Sequence, residues 1–310
     1  MAQLTFFDWQ YNINGFGTYQ NAILTRYIGT SSDVSIPSTI NGLSVQFLNN
    51  AAFDCNSTIT NVSFPSDNIG IIGNDTVPFS CCRNLVSINV DPFNPFYSSS
   101  DGVFFTKKQT TLLKYPMGRI GNYDIPAGVT RIGTYSFYTC TNLTGVTIPN
   151  SVTNIVDYGF SGCLGLNTVT IPASVATIGY AAFDGCDQLT NIVFLGNAPS
   201  VGMLAFAYDY KGPPKTIYYL PGTTGWGSTF AGFPTAPLVP ALSSPSMQSG
   251  QFGFYVSGPV GTSVVLESST SLTSGPWIPQ QTNTLTGSPW YFTDPAWANY
   301  PLQFYRVRSQ

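Results

Sequence analysis

The chain has 310 residues, of which 43% are hydrophobic and only 8% are Asp, Glu, Lys or Arg, with a formal net charge of -3 and no histidine. That is ample length for a core, but ordinary globular chains carry roughly 25% charged residues, so Ser, Thr, Asn, Gln and Gly must wet this surface. The eleven Lys and Arg are scattered apart from Lys107-Lys108, which excludes the basic field needed by nucleic acid, and no apolar run approaches the ~18 residues of a membrane span.

The opening Met1-Ala-Gln-Leu-Thr-Phe-Phe-Asp has neither the positive nor the apolar stretch of a secretory leader. Ala2-Gln3, followed at once by strand-like sequence, fits a start left by signal cleavage. Residues 4–27 read as two strands about an Asn14-Gly15 turn, so residues 1–35 are expected to form a β-hairpin cap. Ile36-Pro37, Phe53, Ile59, Val62 and Phe64-Pro65 make a first unit, with Cys55 one place early for the cysteine position. Phe79, Cys82, Leu85, Ile88 and Val90 make a second. Residues of about 91–124 read as a flanking insertion, whose apolar runs on either side of Lys107-Lys108 predict a hairpin.

Beyond the insertion the text becomes regular. Phe137, Phe160, Phe183 and Phe206 recur every 23 residues, as do Cys140, Cys163 and Cys186; Leu143, Leu166 and Leu189; and Ile132, Ile155, Ile178 and Val201. Such short units cannot bury an apolar face alone, so they must stack, and equivalent side chains then form columns. Phe53, Phe79, Phe137, Phe160, Phe183 and Phe206 are expected in one column, and Cys82, Cys140, Cys163 and Cys186 in another. Leu143 to Ile148 alternates apolar and polar, which predicts a strand that Pro149 ends. The spacing of Ile132, Phe137 and Cys140 predicts a turn of helix. The expected fold is mainly β with short helical turns: a solenoid of about six coils over residues 36–232. Pro234, Pro237, Pro240 and Pro245 predict an extended linker over 233–246. Alternating segments at Phe252–Val256, Ser263–Ser268, Pro289–Thr293 and Gln303–Arg308 predict a small antiparallel β-sandwich over 247–310.

The unit Ile-Pro-x-x-Val-Thr-x-Ile-Gly-x-x-x-Phe-x-x-Cys-x-x-Leu-x-x-Val resembles the BspA-type leucine-rich repeat of secreted and surface bacterial proteins. The insert Tyr97-Ser-Ser-Ser-Asp-Gly-Val-Phe-Phe and the closing Ile217-Tyr-Tyr-Leu-Pro-Gly-Thr-Thr-Gly-Trp226 belong to the same resemblance. It implies a leucine-rich-repeat solenoid used for adhesion or protein binding at the cell exterior, without catalysis and without a fixed set of binding residues. Val264 to Leu272 with Trp277, and Asp294-Pro295 with Phe304-Tyr-Arg-Val307, is similar to C-terminal modules of secreted multidomain bacterial proteins.

The absence of histidine removes Ser-His-Asp and Cys-His constellations and His-containing zinc sites. Of the fourteen carboxylates only Glu267 is a glutamate, and neither Asp184 with Asp187 nor Asp91 with Asp101 follows a calcium-loop spacing. No Gly-rich phosphate loop precedes a helix. No catalytic set, metal or cofactor is therefore expected. The column cysteines read as buried thiols, although strands about 4.8 Å apart also allow disulfides between coils. Cys81 reads as a loop thiol or a partner of Cys55.

A binding surface should be the strand face turned away from the core. Alternation assigns to it Asn61, Ser63, Ser87, Asn89, Thr147, Thr168, Thr170 and Asn191, whose hydroxyls and amides suit a protein or glycan partner. The competing reading is a self-assembling subunit, a homo-oligomer or filament, since low charge removes repulsion between copies and an open solenoid offers its ends to contact.

Overall fold

A computed structural model of the chain describes residues 3–16, 19–72, 78–207, 215–248, 250–258, 262–285, 290–300 and 302–309. Its middle is a solenoid whose coils each give one strand to a row: Asp33–Ser35, Asn61–Phe64, Ser87–Val90, Gly121–Asp124, Leu143–Thr147, Thr168–Ile171, Asn191–Phe194 and Thr216–Tyr219. Neighbouring strands pair in parallel within three blocks, the first three, the fourth with the fifth, and the last three. A second row runs through Thr111–Lys114, Arg131–Ile132, Asn154–Ile155, Thr177–Ile178 and Ser200–Val201. There Ile132, Ile155, Ile178 and Val201 pair in register.

The described row holds eight coils rather than about six. The hidden fourth coil lies inside the stretch read as insertion. Tyr115 holds its ring position, 5.1 Å from Phe137 and nearly parallel to it. The true addition is a hairpin: Tyr97–Ser100 pairs antiparallel with Val103–Thr106, which pairs antiparallel with Thr111–Lys114. The reversal at Lys107-Lys108 joins the last two.

Between the strands the chain makes successive β-turns, not helix. Amides Ser136, Tyr138 and Cys140 bond three residues back, to Gly133, Tyr135 and Phe137. Those of Phe137 and Thr139 instead reach the next coil, at Gly159 O (2.7 Å) and Ser161 O (2.8 Å). Tyr135 and Thr139, at φ 55° and 54°, have left the helical region, so a 13-atom helical ring cannot form.

Rings fill the axis of the solenoid. Phe137, Phe160, Phe183 and Phe206 stack at 4.6, 5.0 and 5.1 Å, and Phe53 on Phe79 at 5.4 Å. Both ends are closed. Leu4–Phe6, Trp9–Phe16 and Tyr19–Tyr27 form an antiparallel meander whose Trp9 and Tyr27 lie 5.5 and 6.0 Å from Phe53. Asn14 and Gly15 pair with Asn21 and Gln20 inside that ladder, so the expected reversal does not fall on them. At the far end Trp226 packs 5.0 Å from Phe194.

Residues 233–246 are strand rather than free linker. Phe233–Pro237 extends the last block in parallel, and Ala241–Gln248 pairs antiparallel with Gln251–Ser257 across a bulge between Ser243 and Ser246. Phe233–Pro237 is the penultimate strand of its sheet, with Pro234 opposite Thr229 of the two-residue terminal strand Thr229–Phe230 and Pro237 beyond that strand's reach; Pro245 lies in the bulge, where no ladder donor is required. Beyond them two three-stranded antiparallel sheets, one ordered Ala241–Gln248, Gln251–Ser257, Trp290–Asp294 and the other Ile278–Thr284, Ser263–Ser269, Phe304–Ser309, share a core of Phe254, Val256, Val264, Leu266, Leu285 and Phe292. The expected start of one strand, Pro289, lies outside the described residues.

Candidate functional site

Two columns hold the strand face in place from behind. Phe137, Phe160, Phe183, Cys82, Cys140, Cys163 and Cys186 have no solvent exposure, and Phe53, Phe79 and Phe206 at most 1%. Each ladder thiol donates to the carbonyl of the preceding ring residue. Cys82 bonds Phe53 O at 3.0 Å, Cys140 Tyr115 O at 3.7 Å, Cys163 Phe137 O at 3.2 Å and Cys186 Phe160 O at 3.1 Å. A small, largely apolar side chain that still carries a weak donor suits this position, which describes cysteine. Burial pushes Cys82 and Cys140 up to about 12 and Cys163 well above its ordinary value, so these are inert thiols rather than nucleophiles.

Strand alternation then fixes what points outward. In the first block two cross-strand rows run Asp33–Asn61–Ser87 and Ser35–Ser63–Asn89. Asn61 Nδ2 donates to Asp33 Oδ1 at 2.6 Å and Ser87 Oγ to Asn89 Oδ1 at 3.1 Å. In the last block the rows run Thr168–Asn191–Thr216 and Thr170–Val193–Tyr218, and Val193 in the second is buried. Thr147 pairs with Asp124 in the middle block. The eight residues assigned from sequence thus divide into two groups, Asn61, Ser63, Ser87 and Asn89, and Thr147, Thr168, Thr170 and Asn191. The hairpin separates them. Its Gly102 O and Ser99 Oγ accept from the Ile88 and Val90 amides at 2.8 and 2.9 Å, on the edge that would otherwise face the fourth coil.

Asp33, Ser35, Asn122, Asp124, Thr216 and Tyr218 share the outward face and were missed. Val34 between Asp33 and Ser35 carries the same alternation signal, but the segment reads as cap. The fourth coil was concealed by the hairpin.

The face is nearly uncharged. Among the described residues the ion pairs are Arg119 with Asp101, whose side chain is 76% exposed, and Glu267 with Arg306 and Arg308. Asp91 Oδ1 is taken by the Phe93 amide at 2.8 Å. No group of three His, Cys, Asp or Glu among the described residues is placed to hold a metal. Two concavities lined by described residues bring no acids and bases together. One of about 550 Å³ beside Ala173, Leu195 and Asn197 has no titratable lining residue, and one of about 530 Å³ has Arg83 alone. No helix among the described residues is long and apolar enough to cross a membrane.

The chain matches the BspA type leucine rich repeat region in six copies, over residues 30–118 and 115–211. No curated protein matches it. Among solved structures it is similar to the pneumococcal vaccine antigen PcpA, at 19% identity and a TM-score of 0.44, over 59% of this chain and 56% of that one. It is similar to a leucine-rich repeat protein from Eubacterium ventriosum, at 20% identity and a TM-score of 0.41, over 64% and 68% of the two chains. A leucine rich repeat protein from T. pallidum aligns at 25% identity and a TM-score of 0.39, over 68% and 91%. The alignment thus spans little more than half of PcpA. Copies of the repeat unit cover most of the solenoid, and on that match the chain belongs to the BspA-type leucine-rich repeat family.

Proposed function

We propose that the chain is a non-enzymatic extracellular binding or adhesion protein that presents its outward strand face to a protein or glycan. Family membership supports the class of function. The observation that carries the choice of face is the pair of cross-strand rows Asp33–Asn61–Ser87 and Ser35–Ser63–Asn89, a lattice of amides and hydroxyls with one carboxylate, Asp33, at its end. Such a lattice recognises neutral hydrogen-bonding groups, and with so few charges its binding is weakly salt-dependent. Saturable binding of the full chain to an immobilised panel of extracellular matrix proteins and glycans, unchanged between 0.05 and about 0.5 M salt, is the expected result. Failure to bind any member of the panel, or binding that vanishes with salt, overturns the reading.

The self-assembly reading draws on the low charge alone. The outer strand at the far end of the last sheet, Thr229–Phe230, has only two residues, too short to template head-to-tail strand pairing. Sedimentation is expected to give a single monomeric species at all concentrations, and filaments would reverse the order of the two readings.

A further inference from the structure

Cys55 and Cys81 stand outside the buried thiol column, and the proposed binding role uses neither. Each lies two places after a ladder ring, Phe53 and Phe79, and those rings are stacked within 9° of parallel. In later coils the same place is held by Thr139, Gly162 and Gly185. All five take left-handed backbone, with φ 53° at Cys55 and 58° at Cys81, a region that suits glycine and costs a residue with a side chain. Two successive coils thus keep cysteine where glycine serves later.

The backbone joins these turns as it joins the later ones. Cys55 N–H donates to Ser80 O at 2.7 Å, as Thr139 N–H does to Ser161 O at 2.8 Å and Gly162 N–H to Asp184 O at 2.7 Å. Equal register gives equal Cβ placement. A Cβ at Gly162 would lie 3.3 Å from Thr139 Cα, and one at Gly185 3.7 Å from Gly162 Cα. A disulfide needs Cβ atoms about 3.5–4.5 Å apart, a spacing compatible with turns stacked this closely. The neighbouring Cys55 side chain raises the pKa of Cys81 more than burial does, in keeping with that stacking. Cys55 is exposed and Cys81 half-buried, whereas the other four cysteines are buried.

We propose that Cys55 and Cys81 are a modification site, a dithiol that closes to a disulfide and staples the second coil to the third. The co-reactant is a small disulfide such as oxidised glutathione. The exposed Cys55 thiolate attacks one of its sulfurs and releases one reduced thiol. Cys81, its proton lost to water, then attacks the Cys55 sulfur of the mixed disulfide and releases the second. Two S–H bonds give way to one S–S bond, and the reagent leaves as two thiols.

The native full chain is incubated with oxidised glutathione, quenched in acid, denatured, alkylated and digested for mass spectrometry. The expected result is four alkylated cysteines, Cys82, Cys140, Cys163 and Cys186, and one linked peptide pair joining Cys55 to Cys81. The oxidised chain should also unfold at higher temperature than the reduced one, and C55S/C81S should show no such shift. Six alkylated thiols, separate glutathione adducts on Cys55 and Cys81, or a link through Cys82 would each overturn the proposal.

Discussion

Replacing Phe160 with alanine removes the middle of the ring stack. Phe160 is fully buried between Phe137 at 4.6 Å and Phe183 at 5.0 Å, with planes 15° and 9° from parallel. A Phe→Ala change in a core costs about 3–5 kcal/mol when neighbours cannot collapse into the space. Neither neighbouring ring can, because each backbone is bonded to the next coil, Phe137 N–H to Gly159 O and Phe183 N–H to Ala205 O, both at 2.7 Å. The two stacked contacts account for about 0.5–1.5 kcal/mol each of that total. Phe160→Leu, which keeps most of the volume and loses only the stacking, should cost about 1–2 kcal/mol. Urea unfolding followed by far-ultraviolet circular dichroism reads both. Against a total stability of about 5–15 kcal/mol the alanine variant should unfold at much lower urea. A loss below about 1 kcal/mol for Phe160→Ala would refute the reasoning, since it would mean that the coils do not rest on this column.

Tyr115→Ala should cost a comparable 3–5 kcal/mol or so in the same assay, because the ring is 1% exposed and stacked on Phe137; a loss of about 0.5 kcal/mol or less would mean that no coil passes there. Alkaline pH should destabilise the chain under reducing conditions. Cys82 and Cys140 have folded values raised from 9.0 to about 12, so their contribution is complete below pH 9 and is lost as the pH rises through the folded values, at about 1.4 kcal/mol per thiol per unit above 9. The buried Lys114, lowered by desolvation, acts in the opposite sense but is one group against several raised thiols and phenols; a urea midpoint that stays flat from pH 8 to 11 would contradict this. Hydrogen bonds from Arg308 and Arg306 lower the pKa of Glu267, so its contribution is present above the ordinary 4.5 and is lost as the pH falls. Glu267→Gln should therefore flatten the acid limb of unfolding monitored through Trp277, which stacks on Arg306 at 4.3 Å; an unchanged limb would count against it.

The fifth to seventh coils were legible in the sequence because each keeps the 23-residue step between ring, thiol and leucine. The fourth was not. Its ring is a tyrosine rather than phenylalanine, its thiol place holds Gly118, and a hairpin lengthens the step before it. The turns were misread as helix because spacings of five and three among Ile132, Phe137 and Cys140 are shared by a helical turn and by paired β-turns. The left-handed residues that distinguish them, Tyr135 and Thr139, carry no glycine signal. Prolines 234 to 245 suggest a linker because nothing local in the sequence shows that Phe233–Pro237 finds ladder partners on both sides. The outward residues followed from alternation alone, but their division into two groups follows from where the hairpin docks, a tertiary contact with no local trace.

Each strand divides the labour, with stability on the inward side and the proposed recognition on the outward side. The most direct measurement is the double variant Ser63→Arg/Asn89→Arg in the full chain, with urea midpoint and panel binding read side by side. Both residues lie in one cross-strand row and neither is buried, so stability should stay within about 0.5 kcal/mol while binding is lost to two bulky cations. Binding that survives both arginines, or that disappears only together with cooperative unfolding, would contradict the account.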